Sequence, residues 1–293
     1  MAPLRTSAPA TAITHYENFP VASWLCPPHL RAPIAAIYHF ARTADDLADE
    51  GASPAPQRLA DLQTYRTALE SACLNQPTSS GPWAWVFEPL RLVIAQYQLP
   101  PDLLHALLDA FVQDVEKTRD GTGYTDEPAL LAYCQRSANP VGRLLLHLYG
   151  VTDAESLAWS DGICSALQLI NFWQDPSRDL PRGRCYFPQN WCERSSLTLE
   201  DLQDPAQKHR ADALIAQCAK DARARMDNAS ALVHRVPGRA GWELRLVVQG
   251  GLRILDKIQA LGGRVLHQRP RLRPWDAPVL VWRALWMKRP ERQ

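Results

Sequence analysis

Several catalytic signatures are missing from this 293-residue chain: it has no GxSxG elbow, no HExxH pair, no P-loop, and no GxGxxG turn between a strand and a helix. Serine-hydrolase, zinc-protease and P-loop chemistry are thereby set aside. The missing dinucleotide fingerprint weighs less, because an all-α protein can hold NADPH by another route. Charge of one sign is also missing. With 32 basic and 31 acidic residues the formal net charge is +1, which offers no general field to nucleic acid or an acidic polymer, so no nucleic-acid partner is expected. No CxxC pair occurs among the seven cysteines, an odd number that suits small core residues in a reducing compartment. Nowhere do eighteen apolar residues run together, and the opening MAPLRTSAPATAITHYENF holds no continuous apolar core of a signal peptide. The expectation is a cytoplasmic protein without a transmembrane span. Sustained period-two alternation and a fixed-period repeat are absent as well.

Helical periodicity is what the chain has in quantity, with 46% hydrophobic residues to bury. Residues 1–14 are small, polar and proline-containing, and read as a flexible N-terminal segment. From Leu30 to Glu50, Ile34, Ile37, Tyr38 and Ala41 recur at helical spacing, which predicts one helix ending at Gly51. Further helices are predicted over 56–74, 83–98, 102–118, 127–136, 140–150, 153–175, 206–235 and 239–261, with prolines and glycines as punctuation. The fold class is therefore all-α, a single-domain helical bundle.

Two acidic clusters stand out. The first, in FARTADDLADE, holds Asp45, Asp46, Asp49 and Glu50; the second, in LQLINFWQDPSRD, holds Asn171, Asp175 and Asp179. On a helix, residues four apart share a face about 6 Å apart, so Asp45/Asp49 and Asp175/Asp179 stack like charges beside apolar stretches. Such stacking is unfavourable without a compensating cation. Oxygen-only donors without cysteine or histidine suit Mg²⁺, which takes one or two protein carboxylates and completes its shell with water and phosphate oxygens. One such acidic run alone is more often a solvated helix face, but two of them facing each other suggest a diphosphate held between metals. Arginines suit its remaining oxygens, and Arg42, Arg143, Arg182 and Arg184 lie near the acidic positions; Arg42, three residues before Asp45, is the best placed. His15 is the histidine nearest a polar and aromatic cluster, with a structural and a catalytic role both open. Pro176 interrupts the second cluster and predicts a kink there.

The C-terminal stretch 268–293, RPRLRPWDAPVLVWRALWMKRPERQ from Arg269 on, differs in character. Val279, Trp282 and Trp286 share a predicted helical face, while Arg269, Arg271, Arg273, Arg283, Lys288 and Arg289 supply positive charge. Two readings stand: a helix that contacts a membrane peripherally, or a terminal helix whose tryptophans dock on the bundle.

Four blocks in order, HYENFPVAS at 15–23, YHFARTADDLADE at 38–50, YCQRSANPVGRLLLHLYG at 133–150 and LQLINFWQDPSRDLPRGRCYFP at 167–188, resemble the squalene and phytoene synthase family. GGLRILDKIQALGGRVL at 250–266 looks like that family's last core helix. The resemblance implies an isoprenoid-synthase helical bundle over 15–267 with a central active-site cavity. It assigns Asp45, Asp46 and Asp49 to one metal site and Asn171, Asp175 and Asp179 to another. Arg42, Arg143 and Arg184 would bind substrate diphosphate, and Tyr38, Tyr133 and Tyr186 would line the reaction centre. Condensing members carry a small pair where this chain has Asn139 and Pro140, and an arginine where it has Gln174. An amide there is able to orient water, so Asn139 and Gln174 join the candidate catalytic residues. The implied activity is Mg²⁺-dependent conversion of presqualene diphosphate and water to hydroxysqualene and diphosphate, with no NADPH expected. Rivals are presqualene diphosphate synthase or a complete squalene synthase acting on farnesyl diphosphate and, from another class, a noncatalytic assembly factor with the same fold.

Overall fold

The computed structural model describes residues 26–78 and 81–287. The N-terminal segment 1–14, His15, the HYENFPVAS block, Lys288 and Arg289 lie outside the described residues. Among those described every regular element is helical and no strand occurs. The chain divides into two compact units, residues 1–115 and 116–293.

In the first unit, α1 (Pro28–Asp49), α2 (Ala55–Cys73) and α3 (Ala84–Tyr97) pack on one another, followed by α4 (Pro101–Asp120), which crosses the boundary. Pro28 opens α1, where a missing N–H costs nothing. Its buried stripe is Ile34, Ile37, Phe40, Ala41, Ala44 and Ala48, as the periodicity predicts. Phe40, Tyr65 and Phe87 join the three helices through ring contacts of 4.6–6.2 Å. The Tyr65 hydroxyl donates to the Phe40 carbonyl at 3.0 Å, so this buried phenol is satisfied.

The second unit contains α5 (Glu127–Ser137), α6 (Asn139–Leu148), α7 (Ala154–Gln174), the single turn α8 (Pro176–Asp179), α9 (Gln189–Arg194), α10 (Lys208–Ala229), α11 (Gly238–Leu261) and α12 (Ala277–Leu285). Aspartates cap α5 and α7: Asp126 accepts from the Ala129 N–H and Asp153 from the Ser156 N–H. α7 packs against α5, α6, α10 and α11. Small residues permit this crowding. A Cβ on Gly142 of α6 would collide with Ser160 and Cys164 of α7, and one on Gly162 of α7 would lie 2.8 Å from the Ala229 Cβ on α10.

The kink expected at Pro176 is present. The run 153–175 does not continue into an uninterrupted stripe through Asp179: α7 stops at Gln174 and Asp175, with φ −110° and ψ 19°, joins it to α8. Pro176 has no N–H to give the helix and forces the break. The register nonetheless survives, because the Asp175 N–H bonds to the Asn171 carbonyl and the Asp179 N–H to the Asp175 carbonyl, both at 3.0 Å. The predicted helix 206–235 likewise ends at Ala229 and passes into a 3₁₀ stretch over Ser230–His234.

Candidate active site

The first acidic cluster occupies the last turns of α1, with no basic residue in the final turn. Carboxylates there face the negative end of the helix dipole as well as each other. Two arginines offset that. Arg42 reaches Asp45 at 3.1 Å, Asp46 at 2.6 Å and Glu50 at 2.6 Å. Arg58, which the sequence reading did not single out, caps the helix: its guanidinium donates to the carbonyls of Leu47, Ser53, Glu50 and Gly51 at 2.8–3.2 Å. Arg42 is thus held by the acids of its own helix. Tyr38 stands one turn before it, its ring edge-on to His39 at 5.6 Å.

Asp46 is the strained member. Burial raises its carboxyl to about 6, Arg42 pulls down, and Glu50 and Asp45 push up again. Its Oδ1 is inaccessible to water and makes no aligned hydrogen bond, although Arg42 Nη2 lies nearby. Among the described residues no three His, Cys, Asp or Glu side chains form a ready cage for a metal. Crowded carboxylates with an unsatisfied oxygen and no cage are the donor set that Mg²⁺ uses when substrate phosphate supplies the rest. The residues fit the ion in that sense.

The second cluster lies at the α7–α8 break. Asp175 is gripped in a two-pronged ion pair by Arg269, whose Nε and Nη2 donate to the two carboxylate oxygens, the latter at 3.0 Å. Next to it, Gln174 is buried and its Nε2 donates to the Pro270 carbonyl at 2.8 Å. Gln174, the last residue of α7, and Asp175, which follows it, therefore hold the consecutive residues Pro270 and Arg269. This revises two expectations: the Gln174 amide donor is committed to the backbone, and Arg269, read from sequence as part of a basic tail, belongs to the acidic site. A separation of 94 residues left no local signal of this pairing.

Aromatic rings gather beside this cluster. Tyr186 stacks on Phe172 at 3.8 Å with an interplanar angle of 7°, and Tyr133, buried in α5, lies 6.0 Å from Phe172 and 6.4 Å from Tyr186. Tyr124 completes the group at 5.7 Å from Tyr133 and 6.1 Å from Tyr186. Phe172 and Tyr124 were not among the sequence candidates; Phe172 directly follows Asn171 in α7.

Other sequence candidates have different partners. Arg143 closes two arms of its fork on Asp161 at 2.9 and 2.6 Å, an ion pair with which a diphosphate would compete. Asn139, buried at the start of α6, accepts from the Ser165 hydroxyl at 2.9 Å and ties α6 to α7. Arg184 Nε contacts the Thr118 hydroxyl at 3.3 Å, and its backbone N–H bonds to the Asp179 carbonyl at 3.0 Å. It stays in the second cluster. Arg182 is exposed.

An all-helical fold with an acid-rich helix end and an aromatic-walled second cluster defines a class of protein, and comparison with known proteins gives it a family. The squalene/phytoene synthase family model matches residues 13–276, and the chain belongs to that family. It is 36% identical over 187 residues to a hydroxysqualene synthase of Rhodopseudomonas palustris, a match covering 64% of this chain and 60% of that protein. A hydroxysqualene synthase of Sinorhizobium fredii is 32% identical over 257 residues, covering 87% of this chain and 82% of that protein. Among solved structures, a squalene synthase, HpnC, from Alicyclobacillus acidocaldarius superposes with a TM-score of 0.75 at 36% identity, covering 85% of this chain and 90% of that one.

Proposed function

We propose that this protein converts presqualene diphosphate and water to hydroxysqualene and diphosphate. The observation that carries the reading is the Tyr133–Phe172–Tyr186 aromatic group, whose Phe172 directly follows Asn171 in α7 and lies three residues before Asp175. A diphosphate departs with the electron pair of its C–O bond and leaves a carbocation, so the chemistry needs anion-binding polar groups beside π-faces. Mg²⁺ held by Asn171, Asp175 and Asp179 would neutralise the departing diphosphate beside these rings, and Asp45, Asp46 and Asp49 of the first unit are the other proposed Mg²⁺ ligands. Arg42 and Arg184 supply further positive charge. Tyr133, Phe172 and Tyr186 turn ring faces to the cation and exclude bulk water from all but the attacking molecule. That water forms the new C–O bond and releases a proton to solvent. Redox balance needs no hydride, so NADPH has no part in this scheme. The likeness to relatives named hydroxysqualene synthase supports this branch of the family.

One observation favours a condensing alternative. Arg269 brings a guanidinium to Asp175, beside the position where condensing relatives are expected to carry an arginine and this chain has Gln174. With that donor present, two farnesyl diphosphates become an admissible substrate pair. Incubation with farnesyl diphosphate alone separates the readings: a lyase leaves it intact, whereas a condensing enzyme consumes it and releases diphosphate.

A further inference from the structure

A surface helix of a globular protein ordinarily turns apolar residues inward and polar residues outward. α12 does not. Its inward side is fixed to α11: Ala284 is buried, Arg283 Nη1 donates to Asp256 at 2.9 Å, and Arg245 of α11 donates to the Ala284 carbonyl at 3.3 Å. Its outward side is apolar again, with Val281, Trp282, Leu285 and Trp286 exposed, the two tryptophans by 63% and 68%. Trp275, in the turn that leads into α12, is exposed by 63%. Trp242 of α11 extends the patch, since the same Arg245 that reaches Ala284 lies 4.5 Å over its ring. The expectation that the tail's tryptophans dock on the bundle is therefore not met by Trp282 and Trp286.

The patch is held rigidly rather than trailing from the fold. Asp276, only 1% exposed, bonds to Arg253 at 2.8 Å and Lys257 at 2.7 Å and accepts from the Arg273 N–H at 2.7 Å, which pins the entry to α12. Asp276 is also the only carboxylate in residues 268–287, and those contacts neutralise it. Arg271 and Arg273 are exposed on the same segment, with the Arg273 guanidinium 5.0 Å over the Trp275 ring. The exposed charge beside the tryptophans is thus positive without a negative counterpart from this segment.

From this we infer that the α12 face is a docking surface for anionic lipid, with tryptophan rings at headgroup depth and Arg271 and Arg273 on the phosphates. Indole suits that depth because one edge is apolar and its N–H seeks a wet acceptor. Charge complementarity selects a negatively charged bilayer over a second copy of this chain, whose α12 segment would present the same positive charges. No helix among the described residues is long and apolar enough to cross a membrane, so the contact is peripheral.

The test is flotation of the full chain, without substrate, on phosphatidylcholine vesicles with and without phosphatidylglycerol. The expected result is co-flotation with the anionic vesicles. Trp282→Gln with Trp286→Gln should weaken binding at least about tenfold. Arg271→Gln and Arg273→Gln should each cost roughly fivefold on anionic vesicles alone. Both tryptophans are exposed, so helicity should be unchanged. Quenching of tryptophan emission by brominated lipid provides a check on the unaltered protein. Failure of the unaltered chain to float, absence of quenching, or tryptophan variants that bind as well as the parent would overturn the inference. So would a dimer that becomes monomeric in the tryptophan variant while neither floats, because the face would then belong to a second copy. None of these readings depends on which diphosphate the protein consumes.

Discussion

Replacing Asp46 by asparagine should abolish turnover and, in chelator, make the protein more stable. The carboxyl is raised from 3.8 to about 6, chiefly by burial, with Glu50 and Asp45 adding to the rise and Arg42 opposing it. At full burial such a displacement corresponds to about 3 kcal/mol. The side chain is 41% exposed, and solvent screening reduces the effect to about 1 kcal/mol. Because the folded-state value lies above the unfolded one, this contribution to stability is complete below about pH 4 and lost as pH rises through about 6. Parent and variant should therefore melt together near pH 4. At neutral pH in EDTA the asparagine variant should melt higher by roughly 2–4 °C, using the shift per kcal/mol usual for chains near this size. Thermal unfolding followed by circular dichroism from pH 4 to 7.5, with activity measured in parallel, provides both readouts. A variant that melts below the parent at neutral pH in chelator would refute the reasoning, since Asp46 would then be a structural partner of Arg42 rather than a carboxylate waiting for a cation.

Asp175→Asn should likewise abolish turnover with helicity retained, because Arg269 can still hydrogen-bond the amide oxygen; activity that survives this change, or survives excess chelator, counts against the second metal site. Asp276→Asn should destabilise the protein by about 2–4 kcal/mol at neutral pH, since it leaves Arg253 and Lys257 facing an uncharged group. Burial opposes the Asp276 charge, but the bonds from Lys257, the Arg273 N–H and Arg253 outweigh it and hold the carboxyl well below the usual range. Its contribution is thus present above about pH 4 and fades as pH falls below that, so denaturant midpoints of parent and variant should converge only in acid. Gly241→Ala should cost about 1–3 kcal/mol in urea unfolding, because its Cβ would sit 2.6 Å from the Val236 carbonyl oxygen, which the backbone cannot readily yield. Gly123→Ala, whose Cβ meets the Cys185 carbonyl oxygen at an ordinary 3.5 Å, is the control and should change little.

Local pattern carried most of the helical architecture. The Ile34–Ile37–Ala41 stripe and the Gly51 stop of α1 are short-range signals, and α2, α3, α7 and α11 begin and end within one residue of the positions their periodicity predicts, whereas α1 starts two residues before the predicted Leu30. The break at Asp175 was legible as a proline, but its outcome was not: a kink could have destroyed the i, i+4, i+8 register, and two backbone bonds preserve it. Long-range pairing was the part that sequence could not show. Arg269 looks like one of several tail arginines until it meets Asp175, and Gln174 looks like a water-orienting amide until it meets Pro270. Arg143 likewise has a partner that its local sequence does not show. Its place in a family block suggested a phosphate ligand, yet the fork is closed on Asp161, eighteen residues away and on the next helix. Arg58 carried no motif at all, because a guanidinium capping four carbonyls is a property of the folded turn.

In the proposed reaction, a carbocation formed by loss of diphosphate meets water beside the Tyr133–Phe172–Tyr186 aromatic group. The measurement that tests it most directly is identification of the product from purified presqualene diphosphate and Mg²⁺ in oxygen-labelled water, with and without NADPH. The expected product is hydroxysqualene carrying the solvent label, formed at the same rate in both reactions. Squalene appearing when NADPH is added, or an alcohol without the label, would contradict it.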